Sequence, residues 1–216
     1  MAAGCVIFDC DGTLVETEAL ECVVFADMLA ALGYEITPAQ VLARYRGAKK
    51  DAVIRHISED MGRPIDADDF IARWRERSQA VFTEQLQPVV GAKDLLRHLD
   101  SSCVPYCIAS NGPLSKMLLT LQITGLQPHF DHRVFSAYEV GSWKPEPGLF
   151  LHAADQMQIS PARCVVVEDS EPGVHAGLAA GMQVLAYQPN VSDRPLATGV
   201  TIIRHLRDVV RYLETI

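Results

Sequence analysis

Two aspartates two positions apart, Asp9 and Asp11, close the short apolar run Cys5-Val6-Ile7-Phe8, and Gly12 follows at once. An apolar run of that length reads as a buried strand. The carboxylates then emerge at its carboxyl end, where open α/β sheets bind ligands. Gly12 lets the chain leave the strand in a conformation that a side chain would forbid. Carboxylates this close repel each other and call for a cation or a shared proton. One can attack as a nucleophile while the other moves protons, so the pair is a candidate for covalent catalysis. Asp and Gly also make ordinary solvated turns, so the weight falls on what the rest of the chain brings to the same place.

Three further stretches sit at the ends of strands or ahead of helices. Ser110-Asn111-Gly112 follows the apolar Tyr106-Cys107-Ile108-Ala109. A hydroxyl and free backbone amides there can hold a phosphoryl oxygen, or the stretch can be a plain Asn-Gly turn. Lys144-Pro145 follows Gly141-Ser142-Trp143 in a loop, where the lysine could neutralise a carboxylate or a phosphate or lie solvated. Glu168-Asp169-Ser170 follows Val165-Val166-Val167. Charge at the end of a buried strand is costly unless compensated. Mg²⁺, which takes a few carboxylates along with phosphate and water, would compensate it. Capping of the next helix by Asp169 or Ser170 is the alternative.

The elements that must position these residues follow from periodicity. Residues 16–33 carry Leu20, Val23, Val24, Met28 and Leu32 at helical spacing, and Thr37-Pro38 starts another helix. Further helices are expected from about Lys50 and from Asp68 to Gln87, so residues 17–87 read as all-helical. From Gly91 the pattern changes. Helices near 92–99, through Met117, Leu118 and Leu121, near 147–157 and through Ala180 alternate with strands at 106–109, 133–135, 164–167 and 183–187, and 201–216 add a strand and a helix. Alternation of this kind predicts a parallel sheet flanked by helices. The expected architecture is a Rossmann-like α/β core, residues 1–16 and 88–216, with a small helical cap, residues 17–87, inserted after the first strand. A cap needs hinges, expected near Val15-Glu16-Thr17 and Gln87-Pro88.

Composition narrows the partners. The chain has 216 residues, 49% hydrophobic and 21% charged, with net charge −8, as for an ordinary globular protein. That charge argues against nucleic acid, whose backbone requires a basic footprint. No charged-then-apolar segment precedes Cys5, and no apolar run approaches the ~18 residues of a membrane span. Six cysteines without a CxxC pair read as reduced thiols, mostly buried. A cytoplasmic monomer or weak homodimer is expected, with no membrane or nucleic-acid partner.

The ordered set Asp9-Cys10-Asp11-Gly12-Thr13, Ala109-Ser110-Asn111, Lys144-Pro145 and Glu168-Asp169-Ser170 resembles the haloacid dehalogenase-like hydrolase superfamily over essentially the whole chain. The helical insert resembles the cap of its β-phosphoglucomutase-like branch, which also holds many sugar phosphatases. The resemblance implies that Asp9 becomes an aspartyl phosphate, and that Asp11 protonates the leaving alcohol and then activates water. It implies Mg²⁺ on Asp9, Asp169 and the Asp11 carbonyl, with Glu168 nearby or binding through water. Ser110 and Lys144 would grip phosphoryl oxygens, assisted by Thr13 and the Asn111 amide. In the cap, Lys50 matches a family arginine that grips substrate phosphate, with Arg46 and Lys49 as further contacts. Asp11 argues against dehalogenation, which needs no leaving-group proton. The mutase branch carries a histidine near the position of Glu21, which this chain lacks.

The implied activity is a Mg²⁺-dependent phosphatase acting on a small phosphate ester, a sugar phosphate or a sugar acid phosphate such as 6-phosphogluconate. A phosphosugar mutase is the alternative, and a non-catalytic phosphometabolite-binding protein is the alternative of a different class.

Overall fold

The first strand, β1 (Cys5–Phe8), is buried at every position, which is why its sequence is continuously apolar rather than alternating. A computed structural model describes residues 4–45, 48, 50–190 and 196–215 of the chain. After β1 come four helices, α1 (Thr17–Ala30), α2 (Pro38–Tyr45), α3 (Lys50–Met61) and α4 (Ala67–Gln85). The remainder alternates: α5 (Ala92–Ser101), β2 (Tyr106–Ser110), α6 (Leu114–Thr124), β3 (Val134–Ser136), α7 (Ala137–Val140), α8 (Gly148–Gln156), β4 (Cys164–Glu168), α9 (Glu171–Ala179), β5 (Gln183–Tyr187), β6 (Thr201–Ile203) and α10 (Arg207–Leu213). By contact the chain divides into two compact units, Met1–Val15 with Gln87–Ile216, and Glu16–Leu86.

The first unit holds one six-stranded sheet in the order β3-β2-β1-β4-β5-β6. All its pairings are parallel. The chain builds outward from β1 through β2 and β3, then returns to the other side of β1 with β4. The switch point lies between β1 and β4, the place where such sheets take ligands. Flanking helices bury stripes at helical spacing, as α5 does with Ala92, Leu95, Leu96 and Leu99. The two crossings out of this unit lie side by side, because Val15 pairs with Pro88 and the Val89 amide donates to the Leu14 carbonyl at 2.9 Å.

The second unit has its own core, centred on Phe25, whose ring meets Phe70 at 5.3 Å and Trp74 at 6.0 Å edge-on. Thr37 and Gln40 form a reciprocal cap at the start of α2: the Gln40 amide donates to Thr37 Oγ1 at 3.2 Å, and the Thr37 amide to Gln40 Oε1 at 2.9 Å.

Boundaries differ from the sequence expectation by a few residues. α1 ends at Ala30 rather than 33, because the chain turns at Gly33, with φ of 82°. The one-turn α7 has no periodic stripe long enough to be read. Cys103 is exposed, in a turn with φ of 52°. Cys5, Cys10, Cys107 and Cys164 are buried.

Candidate active site

Asp9 continues the β1 ladder by one residue, its amide donating to the Val167 carbonyl at 3.0 Å. This fixes its carboxylate between the ends of β1 and β4. The turn that follows depends on Gly12 twice. Its φ is 83°, and a Cβ there would stand 2.4 Å from Asp169 Oδ2. Thr13 Oγ1 donates to Asp169 Oδ1 at 3.0 Å, so the turn after β1 holds the carboxylate that follows β4.

Lys144 joins these strand ends. Its Nζ donates to Asp9 Oδ1 at 2.5 Å and to Glu168 Oε1 at 2.6 Å, and it lies 4.9 Å from the centre of the Phe150 ring. All three charged side chains are nearly inaccessible, at 3% for Lys144, 10% for Asp9 and 1% for Glu168. Burial pushes the Asp9 carboxyl up to about 7; the Lys144 charge opposes that, while Glu168 and Asp11 add to it. For Lys144 burial works against the charged form, but the two carboxylates outweigh it and raise its pKa above the ordinary lysine value.

Neighbouring loops hold this arrangement. Asn111 clamps the Lys144 backbone, accepting its amide on Oδ1 at 2.9 Å and donating from Nδ2 to its carbonyl at 3.3 Å. Ser110 is buried, and its Oγ accepts the Gly112 amide at 3.3 Å. Glu168 Oε2 accepts both the amide and the hydroxyl of Ser170 at 2.8 Å. Ser170 also caps α9 through the Gly173 amide at 3.2 Å. Of the two capping candidates, the cap is therefore Ser170, which leaves Asp169 for other work. A Cβ at Gly173 would fall 1.9 Å from Glu168 Oε1, so the first turn of α9 is open because the carboxylate occupies that space.

The structure thus brings together Asp9, Ser110, Asn111, Lys144, Glu168, Asp169 and Thr13, with Asp11 beside them. It gives Thr13 and Asn111 side-chain partners inside the site, on Asp169 and on the Lys144 backbone. Arg46 and Lys49 lie outside the described residues. Lys50 belongs to the second unit, where its Nζ is 5.3 Å from the Trp74 ring centre. There it lines a small pocket of about 50 Å³ with Glu18, Glu21, Phe25, Tyr45 and Trp74.

The donor chemistry fits Mg²⁺. Asp9 and Asp169 supply hard carboxylate oxygens, and the Asp11 carbonyl could add a third. The Gly12 cradle that a Cβ would fill keeps Asp169 against the β1 turn. Among the described residues no three or more His, Cys, Asp or Glu side chains gather as a metal-holding group; Mg²⁺ ordinarily completes its shell with substrate phosphate and water.

One residue at the site escaped the sequence reading. Lys116, in the first turn of α6, donates from Nζ to Asp11 Oδ2 at 3.0 Å. The signal was a cation at a helix N-terminus, where the dipole disfavours it.

Residues 4–181 match the family model described as haloacid dehalogenase-like hydrolase. The 6-phosphogluconate phosphatase of Escherichia coli K12 is 31% identical over 202 residues, covering 93% of this chain and 90% of its own. A haloacid dehalogenase-like protein from Agrobacterium tumefaciens superposes with a TM-score of 0.86 at 29% identity, covering 99% of this chain and 98% of its own. A hydrolase of the same family from Deinococcus radiodurans, solved with bound phosphate and sodium, gives 0.82 at 28% identity, covering 99% and 96%.

Proposed function

The chain belongs to the haloacid dehalogenase-like hydrolases, and on that premise we propose that it is a Mg²⁺-dependent phosphatase of small phosphorylated metabolites, working through a phosphorylated Asp9. The observation that carries this reading is the buried Lys144 shared between Asp9 and Glu168 at the switch point of the sheet. A nucleophilic carboxylate must approach an anionic phosphate, and a fixed cation beside it offsets that repulsion.

In the first step an Asp9 carboxylate oxygen attacks phosphorus, the bond to the ester oxygen breaks, and Asp11 gives its proton to the departing alcohol. In the second, water attacks the acyl phosphate, Asp11 takes the water proton, and Asp9 is freed. Ser110 and Lys144 bind phosphoryl oxygens. Asn111 keeps the Lys144 backbone in place, and Thr13 keeps Asp169 on the turn. Bound Mg²⁺, held by Asp9, Asp169 and the Asp11 carbonyl, would neutralise phosphoryl charge.

The substrate class we infer is a sugar phosphate or sugar acid phosphate. The similarity to a 6-phosphogluconate phosphatase supports it. So does Lys50, which sets a cation on an aromatic wall. The test is phosphate release across a panel of phosphorylated metabolites that includes 6-phosphogluconate and β-glucose 1-phosphate, with Asp9→Asn as blank. Release abolished by chelator and by the variant is expected. Isomerisation of β-glucose 1-phosphate without release would make the protein a mutase, and silence on both would leave a binding protein. Lys50→Ala is expected to raise KM for a sugar acid phosphate about tenfold with kcat held, as for loss of a uniform binding contact.

A further inference from the structure

Lys116 is the cation that this mechanism leaves unused. It enters from α6, in a helical turn where a positive charge opposes the helix dipole. Its Nζ lies 3.0 Å from Asp11 Oδ2, and the two side chains are 20% and 22% exposed, so the pair is largely shielded. The same carboxylate oxygen rests beside the loop that follows β2, where a Cβ on Gly112 would come within 3.5 Å of it. Asp11 is thus oriented by the β2–α6 segment, 105 positions away in the chain, as well as by its own turn. A charge-assisted hydrogen bond of this kind is short and directional. It is strongest when Asp11 is a carboxylate, which is its state once the leaving alcohol has taken the proton.

We propose that Lys116 is a positioning residue that holds the Asp11 carboxylate for hydrolysis of phosphorylated Asp9, a role that rests on the phosphatase reading. In that step the water oxygen bonds to phosphorus. The bond between phosphorus and the Asp9 oxygen breaks, its electron pair returning to Asp9, and the water proton passes to Asp11. Lys116 touches neither water nor phosphorus; it aims the group that takes the proton.

The experiment uses the full chain with Mg²⁺ and p-nitrophenyl phosphate, whose leaving group departs without a proton. With this ester kcat/KM reports formation of the phosphorylated enzyme, whereas kcat includes its hydrolysis. Lys116→Met is expected to lower kcat about tenfold and KM with it, leaving kcat/KM within about threefold. Acid-quenched chain should then carry a phosphoryl group by intact mass at steady state, and Lys116→Arg should restore most of kcat. Equal loss of kcat and kcat/KM without accumulation of phosphorylated chain would overturn the role, as would an unchanged kcat. A wild-type chain that neither turns over the ester nor gains a phosphoryl group would instead overturn the phosphatase reading, and the role of Lys116 with it.

Discussion

Lys144 holds two buried carboxylates with one ammonium. Removing it leaves two like charges together out of water, the case in which breaking a buried pair costs about 3–5 kcal/mol. Lys144→Met is therefore expected to lower the melting temperature by about 10 °C and to abolish turnover; a calorimetric scan that matched wild type would contradict this. The glycines face an equally local constraint. Gly12→Ala meets both a left-handed φ and the Asp169 carboxylate. Backbone strain of ~1–3 kcal/mol and a displaced Asp169 should weaken Mg²⁺ binding, which isothermal titration would read directly. Most of these residues were legible in the sequence, because paired acids after apolar strands have few structural uses. The reason for Gly173 was not, since the carboxylate that requires it arrives from the preceding strand. Nor was Lys116, whose partner follows the adjacent strand, 105 positions away in the chain. Thr13 and the Asn111 amide were expected to assist at the phosphate; in the structure their side chains meet Asp169 and the Lys144 backbone.

The strands were visible as continuous apolar runs and the long helices by their period, because burial dictates both, whereas α7 and the exact ends were set by tertiary turns. One junction shows how such contacts outside any period fasten elements. Asp100, in the last turn of α5, accepts the Tyr106 hydroxyl at the start of β2 at 2.5 Å, and its other oxygen lies 2.7 Å from His129 Nδ1. Burial works to raise the Asp100 pKa, but these two hydrogen bonds, together with the nearby charges of His129 and Arg133, outweigh it and hold it below the ordinary aspartate value. A depressed carboxyl contributes stability above its unfolded pKa of about 3.9 and loses it as pH falls through the folded value. Asp100→Asn should thus lower the melting temperature at pH 7, and the gap should close below about pH 4. The Asp100 side chain is 47% exposed, so solvent screening limits the effect to about 2–4 °C. A gap independent of pH would show that charge is not involved. In the second unit the Asp66 side chain caps α4 through the Asp69 amide at 3.1 Å. Asp66→Ala is expected to cost about 1 kcal/mol, measurable by urea unfolding.

At the scale of the whole molecule, the alternation of strands and helices predicted the parallel sheet, and its strand order places the switch point where the acids fall. No helix among the described residues is long and apolar enough to cross a membrane. Each unit has its own apolar core. Replacing residues 17–86 with a short Gly-Ser link is therefore expected to leave a first unit that melts cooperatively. A product that binds ANS and shows no transition would refute this. The reason lies in the pairing of Val15 with Pro88. Because exit and return are already neighbours, the main chain closes over that point as if the helices were a side branch. Recombination could exchange such a branch for another whose ends meet, giving a lineage new selectivity while it inherits its chemistry intact.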